Sequence, residues 1–243
     1  MNFLLIHGAW HDGSCWDKVI VELEKAGHRA WAPTLRGNGP GVDKTGMTHA
    51  NTVQSVVDFV IEQDLKDLVV VGHSYGGSII QKLAEHIPQR IKRLVFQNAF
   101  VLLDGQSMLD ENPPHYVPLM EKLVSESNDD SFTLPFEICR EAFFNSVDLE
   151  TARNLWKECF SPQPIQPFRD KLDLKKFYSL EIPKSYLNCT EDIALPPGPE
   201  HGWHPRMSNR LGLYRLVQMP GDHEAIVTNH EIMAQKLLEA GRD

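Results

Sequence analysis

The run VVVGHSYGG, residues 69–77, constrains the fold more than any other part of the chain. Its β-branched start reads as a buried strand, and helix-forming residues follow its end. Only Gly72-His73-Ser74-Tyr75-Gly76 separates the two. A reversal that tight leaves little room for side chains at positions 72 and 76, and Gly77 lets the following helix pack close. The serine is forced into a strained conformation with its hydroxyl standing clear of the sheet. The helix that begins there aims unpaired N–H groups at the same spot. The plain alternative is a glycine-rich turn with an incidental serine. The flanking strand and helix favour a working serine at a G-x-S-x-G turn.

Short apolar runs alternate with longer amphipathic stretches along the rest of the chain. Strands are expected at Phe3–Ile6, Arg29–Ala32, Leu68–Val71, Arg93–Asn98, Ser185–Cys189 and Arg215–Met219. These runs are almost unbroken in their apolar character, as strands covered on both faces are. Helical patterns occupy Cys15–Ala26, Ala50–Gln63, Gly77–His86, Pro205–Leu211 and Glu231–Ala240. The repetition predicts an α/β fold, with about six strands in a mainly parallel sheet and helices on both faces. The alternation fails between about residues 105 and 178, which are rich in Pro, Phe and acidic residues and helical in pieces: Tyr116–Ser125, Phe136–Asn145 and Leu149–Phe160. This insertion reads as a lid within a single domain spanning residues 1–243.

Composition removes several function classes. The net charge of −9 makes nucleic acid and anionic membrane surfaces poor partners. No apolar run approaches the ~20 residues of a membrane helix. The apolar start MNFLLIHGAW lacks the charged n-region and cleavage site of a signal peptide and reads as a strand. The four cysteines form no CxxC pair and are too sparse for a disulfide framework, so a reducing, cytoplasmic setting is expected. No dinucleotide fingerprint or phosphate loop appears, so no cofactor is implied. His201 and His204, three apart in HGWH, have no third metal ligand that stands out, and with His11 they read as surface or loop residues.

A serine nucleophile needs a base, and the base needs a carboxylate to hold its tautomer. On a G-x-S-x-G turn the chain order is serine, acid, histidine. Of the eleven histidines, only His223 and His230 follow the last strand. His223, in Met-Pro-Gly-Asp-His, suits the base, while His230 suits a helix N-terminus. The acid belongs after the penultimate strand. Asp192 is preferred there because it lies further into the loop; Glu191 and Asp104 remain alternatives, with surface-loop and turn or helix-cap roles as their plain readings. The N–H groups of Tyr75 and Ala9 are the candidate oxyanion donors, each commonly worth about 3 kcal/mol in a transition state. Trp10 and Phe100, at strand ends, are expected to line a mostly apolar pocket. The lid aromatics Tyr116, Phe132, Phe136, Phe143, Phe144, Trp156 and Phe160 read mainly as core.

HGAWHDGSCW, GHSYGG, CTED and GDHE together resemble α/β-hydrolases, and more narrowly the plant methylesterases and hydroxynitrile lyases with their bacterial esterase relatives. The resemblance runs from residue 2 to about 240, and the lid matches only in general character. It implies Ser74 as nucleophile, Asp192 as acid, His223 as base, and Ala9 with Tyr75 as oxyanion amides. It implies hydrolysis of a small hydrophobic carboxylic ester through an acyl-enzyme. The lyases of that family carry a threonine where this chain has Gly8 and a cyanide-stabilising lysine where it has Glu224. A carboxylate at 224 is expected to repel cyanide. Cofactor-free dioxygenases acting on hydroxyquinolones are a second resemblance, weakened by Tyr75 in place of the histidine of their HSHG turn. A hormone-binding receptor with weak turnover is the third. Some members of the family pair through lid surfaces, so a homodimer is open, although no diagnostic patch appears.

Overall fold

The computed structural model describes residues 1–198 and 200–243. Six parallel strands form the central sheet: β1 (Asn2–Ile6), β2 (Arg29–Trp31), β3 (Leu68–His73), β4 (Ile91–Gln97), β7 (Lys184–Cys189) and β8 (Arg215–Met219), in the spatial order β2-β1-β3-β4-β7-β8. Every strand pair in it is parallel. The order turns back on itself after β1, so the loops leaving β1 and β3 diverge at their C-terminal ends and open a crevice there.

Burial on both faces explains the unbroken apolar runs. Phe3, Leu5, Val69, Val71, Val95 and Val217 point to one face and pack under α1 (Asp17–Lys25) and the final long helix, His230–Gly241. Leu4, Ile6, Val70, Leu94, Phe96 and Tyr186 point to the other. They meet α2 (His49–Glu62), α3 (Gly76–His86) and the segment between β4 and β7. Neighbouring residues of each strand thus alternate between two cores, as a period of two requires.

The segment between β4 and β7 folds as α4 (Met108–Glu111), α5 (Tyr116–Ser125), α6 (Phe136–Ala142), α7 (Leu149–Cys159), α8 (Gln166–Arg169) and α9 (Lys175–Ser179). It also contains a two-stranded antiparallel pair, β5 (Ser131–Phe132) with β6 (Gln163–Pro164). Strands of two residues carry no periodic signal, so the sequence pattern does not reveal them. The helix expected at Pro205–Leu211 is instead a short turn at Trp203–Met207. His204 breaks it with extended angles (φ −107°, ψ 134°), because the residue before a proline is pushed out of the helical region. After β8 come α10 (Ala225–Thr228) and α11 (His230–Gly241).

The β3–α3 reversal is crowded on every side. A Cβ at Gly72 would lie 2.7 Å from the Gly76 carbonyl oxygen, and one at Gly76 would lie 2.8 Å from the carbonyl oxygens of Ile6 and His7. A Cβ at Gly77 would lie 2.2 Å from the Phe100 carbonyl oxygen. Backbone cannot give way there as a flexible side chain would. Gly77→Ala is therefore expected to lower unfolding free energy by about 2–4 kcal/mol, measured by urea denaturation.

Candidate active site

Ser74 sits at the tip of the β3–α3 reversal with φ +50°, a left-handed conformation that a non-glycine residue adopts only under constraint. The constraint is visible. Its N–H donates to the Gln97 carbonyl (3.3 Å), and its carbonyl accepts from the N–H groups of Gly77 (3.0 Å) and Phe100 (3.1 Å). The serine thus faces a narrow cavity lined by strand-end loops and by the segment between β4 and β7.

His223 reaches the same cavity from the loop after β8. Its Nδ1–H donates to Asp192 Oδ2 at 2.7 Å, leaving Nε2 as the nitrogen that can take a proton. No hydrogen bond joins Ser74 and His223 among the described residues; such contacts commonly tighten only when substrate binds. Burial disfavours the charged ring, but the Asp192 charge, its hydrogen bond and the charge of Glu224 outweigh that and raise the His223 pKa above 6.5.

Asp192 is held in turn. Its Oδ2 also accepts from Asn98 Nδ2 (2.6 Å), and its Oδ1 accepts from the Ala194 N–H (2.9 Å). Asn98 ends β4 by turning to φ +36°. The other two carboxylates stand elsewhere. Asp104 accepts from the Leu174 N–H (2.9 Å) at the entrance to α9, and Glu191 is exposed. His230 opens α11.

The amides of Ala9 and Tyr75 make no hydrogen bond to protein among the described residues, and both residues line the cavity. Trp10, next to Ala9, has φ +64° and is pinned by the lid. Its N–H donates to Gln163 Oε1 (3.2 Å), its indole Nε1–H to the Phe132 carbonyl (3.2 Å), and its carbonyl accepts from the Ser161 N–H (2.7 Å). Trp10 and Phe100 line the cavity as expected. Of the lid aromatics named from the sequence only Phe143 does, joined by Phe168.

Three features lie beyond the sequence reading. Trp203 stacks on the His223 imidazole (centroids 5.3 Å apart, planes 13° apart), and Phe143 meets the ring edge-on. The HGWH stretch draws attention to its histidines, yet its tryptophan is the residue at the cavity; a large apolar side chain between two polar ones was the available signal. His201 is exposed, and His204 contacts Ser208. His11 is a correction: it is not a surface residue but fully enclosed, in contact with Glu224. Its position five residues beyond a buried strand, in a loop packed against Phe160, accounts for the burial. Glu224 needs correcting too. It is buried against His11 and does not line the cavity, so direct repulsion of a bound anion is not its role.

Two other histidines are fixed in neutral form. His73 Nε2–H donates to the His223 carbonyl (3.1 Å), and burial, then the charges of His223 and His11, push its pKa well below the usual value. His7 donates from Nδ1 to the Gly8 carbonyl and accepts from the Leu35 N–H at Nε2; burial lowers its pKa to about 4. A Cβ at Gly8 would lie 2.8 Å from His73 Nδ1 and 3.1 Å from the Ser74 Cβ, so a threonine there would displace the site itself.

Comparison with known proteins agrees with the fold. The family described as "Alpha/beta hydrolase family" matches residues 3–235. An extracellular α/β-hydrolase from a Paenibacillus species, described as sharing structural and functional homology with tobacco salicylic acid binding protein 2, is 43% identical over the full length of both chains, with a TM-score of 0.96. The tobacco protein itself (Nicotiana tabacum) is 26% identical over 98% of this chain and 96% of its own. A carbendazim-hydrolysing esterase from Nocardioides is 39% identical over 44% of this chain and 46% of that protein. These relatives support ester hydrolysis in general terms. Among the described residues no helix is long and apolar enough to cross a membrane.

Asn98 links the ends of β4 and β7 through Asp192 and Cys189. Asn98→Ala is expected to cost about 2–3 kcal/mol of stability, since a buried carboxylate loses a donor, measured as a lowered thermal midpoint.

Proposed function

The chain belongs to the α/β-hydrolase family, and from that premise we propose that it is a serine hydrolase cleaving carboxylic esters of small hydrophobic compounds. The supporting observation is the convergence on one apolar cavity of Ser74, the Asp192-bound imidazole of His223 and two unpaired amides.

In this mechanism His223 Nε2 takes the proton of Ser74 Oγ as that oxygen attacks the ester carbonyl. The N–H groups of Ala9 and Tyr75 hold the oxyanion. His223 then passes the proton to the departing alcohol, and water repeats the cycle on the acyl-enzyme. Asp192 fixes the tautomer and stabilises the imidazolium. The cavity is tight, and Trp10, Phe100, Phe143 and Trp203 form apolar walls. A small or medium apolar acyl or alcohol group is the substrate these walls support. Cyanohydrin cleavage finds less support: no lysine or arginine lines the cavity among the described residues, and Gly8 leaves no space for threonine. The four free cysteines support a reducing compartment; the extracellular description belongs to the Paenibacillus relative.

A screen of p-nitrophenyl and methyl esters tests the reading. Ser74→Ala is expected to remove nearly all turnover with the fold intact, and wild-type turnover in that variant would exclude the mechanism. Oxygen uptake with a hydroxyquinolone, cyanide release from a cyanohydrin, or a single labelling burst without release would each point to one of the other activities. Asp192→Asn is expected to lower kcat by about 10³–10⁴-fold. The neutral imidazole is the base and its pKa is raised, so kcat/KM is expected to rise with pH through a midpoint above 6.5.

A further inference from the structure

Behind the cavity, His11 Nε2 lies 3.0 Å from Glu224 Oε2, and each side chain is only 1% exposed. Neither atom has a hydrogen-bond partner among the described residues, so charge holds the two together. His11 Nδ1–H donates to the Ala9 carbonyl at 2.8 Å. Its other nitrogen faces a carboxylate, a placement that favours the doubly protonated ring. Burial disfavours the charged ring, but the charge of Glu224 outweighs it and raises the His11 pKa.

Both ends of this pair attach to the proposed catalytic parts. On one side, His11 grips the peptide that follows the Ala9 amide. On the other, Glu224 directly follows His223, and its carbonyl accepts from the N–H groups of Val227 (2.8 Å) and Thr228 (2.9 Å) to start α10. The fold has little need of two charges here, since a buried ion pair can often be replaced by apolar side chains of equal volume without loss of stability. An apolar pair would not supply a carboxylate next to the imidazole.

We propose that His11 and Glu224 form a positioning pair, which locks the loop carrying the Ala9 amide to the loop carrying His223 and keeps a negative charge beside the base. This rests on the serine hydrolase reading above.

The groups around the pair and the neighbouring His223 come from five elements. The loop after β1 contributes His7, Asp12 and Cys15, and β3 contributes His73. The loop after β7 contributes Asp192, the loop after β8 contributes Asp222 and His223, and the lid contributes Cys139 and Cys159. Burial pushes the thiols up, Cys15 well above its usual value and Cys159 to about 12, so they stay neutral. His7 and His73 stay neutral as well. Among the charges felt by His223, Glu224 raises the affinity for a proton and His11 lowers it, with Glu224 the larger. Loss of the carboxylate therefore favours the neutral ring.

The test is Glu224→Gln, which keeps shape and removes charge. The expected result is an acid limb of kcat/KM moved to lower pH, with kcat reduced on the order of tenfold and KM nearly unchanged. His11→Gln/Glu224→Gln, which leaves two neutral amides, is expected to move the limb the same way and to be less damaging than the sum of the single variants. It also serves if Glu224→Gln does not fold. A folded variant with the wild-type acid limb and kcat, and only a lower melting temperature, would overturn the pair. Strict additivity in the cycle would do the same. Ser74→Ala, assayed in parallel, separates the two levels: turnover surviving in it overturns the hydrolase reading together with the pair. An inactive Ser74→Ala beside an unshifted Glu224→Gln overturns the pair alone.

Discussion

The chain must leave β3 and enter α3 without room for a side chain on either flank of the turn. That crowding fixes much of what surrounds it. Ser74 can complete the turn only with a left-handed backbone, and the neighbouring carbonyls of Ile6, His7 and Phe100 approach because glycines allow it. The loops after β1 and β4 therefore press against the serine from both sides. The cavity lies where these three chain segments meet, with Phe143 and Phe168 of the lid among its walls.

Electrostatics in this region is sorted by partner. Burial alone would strip the charge from every histidine behind the cavity, and it does so for His7 and His73, whose ring nitrogens meet backbone groups. His11 and His223 each face a carboxylate and their proton affinity rises instead. Four rings of one chemical type thus divide into two neutral spacers and two proton-binding groups. Asp222, also buried, is spent on structure: it accepts from Ser146 of the lid and Thr228 of α10. It ties the roof to the floor of the base loop.

Sequence legibility followed the range of each interaction. The central strands were readable because burial on both faces leaves an unbroken apolar run. The edge strands β2 and β8 are partly exposed and carry Arg29, Arg215 and Gln218, yet all strand ends moved by only a residue or two. Ser74, Asp192 and His223 were readable because each follows a strand at a fixed position in the fold, and the structure brings their loops together. Asn98, Trp203 and the enclosure of His11 were not. Each depends on a contact between segments distant in sequence, and nothing local distinguishes a tryptophan that stacks on an imidazole from one in an ordinary core. Glu224 was legible as a charge but not as a direction; one rotation about its backbone separates a carboxylate facing the cavity from one turned into the interior.

Trp10 carries a consequence for anyone reshaping this molecule. Its main chain and indole are bonded to Gln163, Phe132 and Ser161, so the roof and the loop carrying the Ala9 amide form a single mechanical piece. A chimera that took its roof from a cousin would inherit a loop with its moorings cut. Transplants should travel with the tryptophan and its three anchors as one cassette, because specificity and rate share the same joinery.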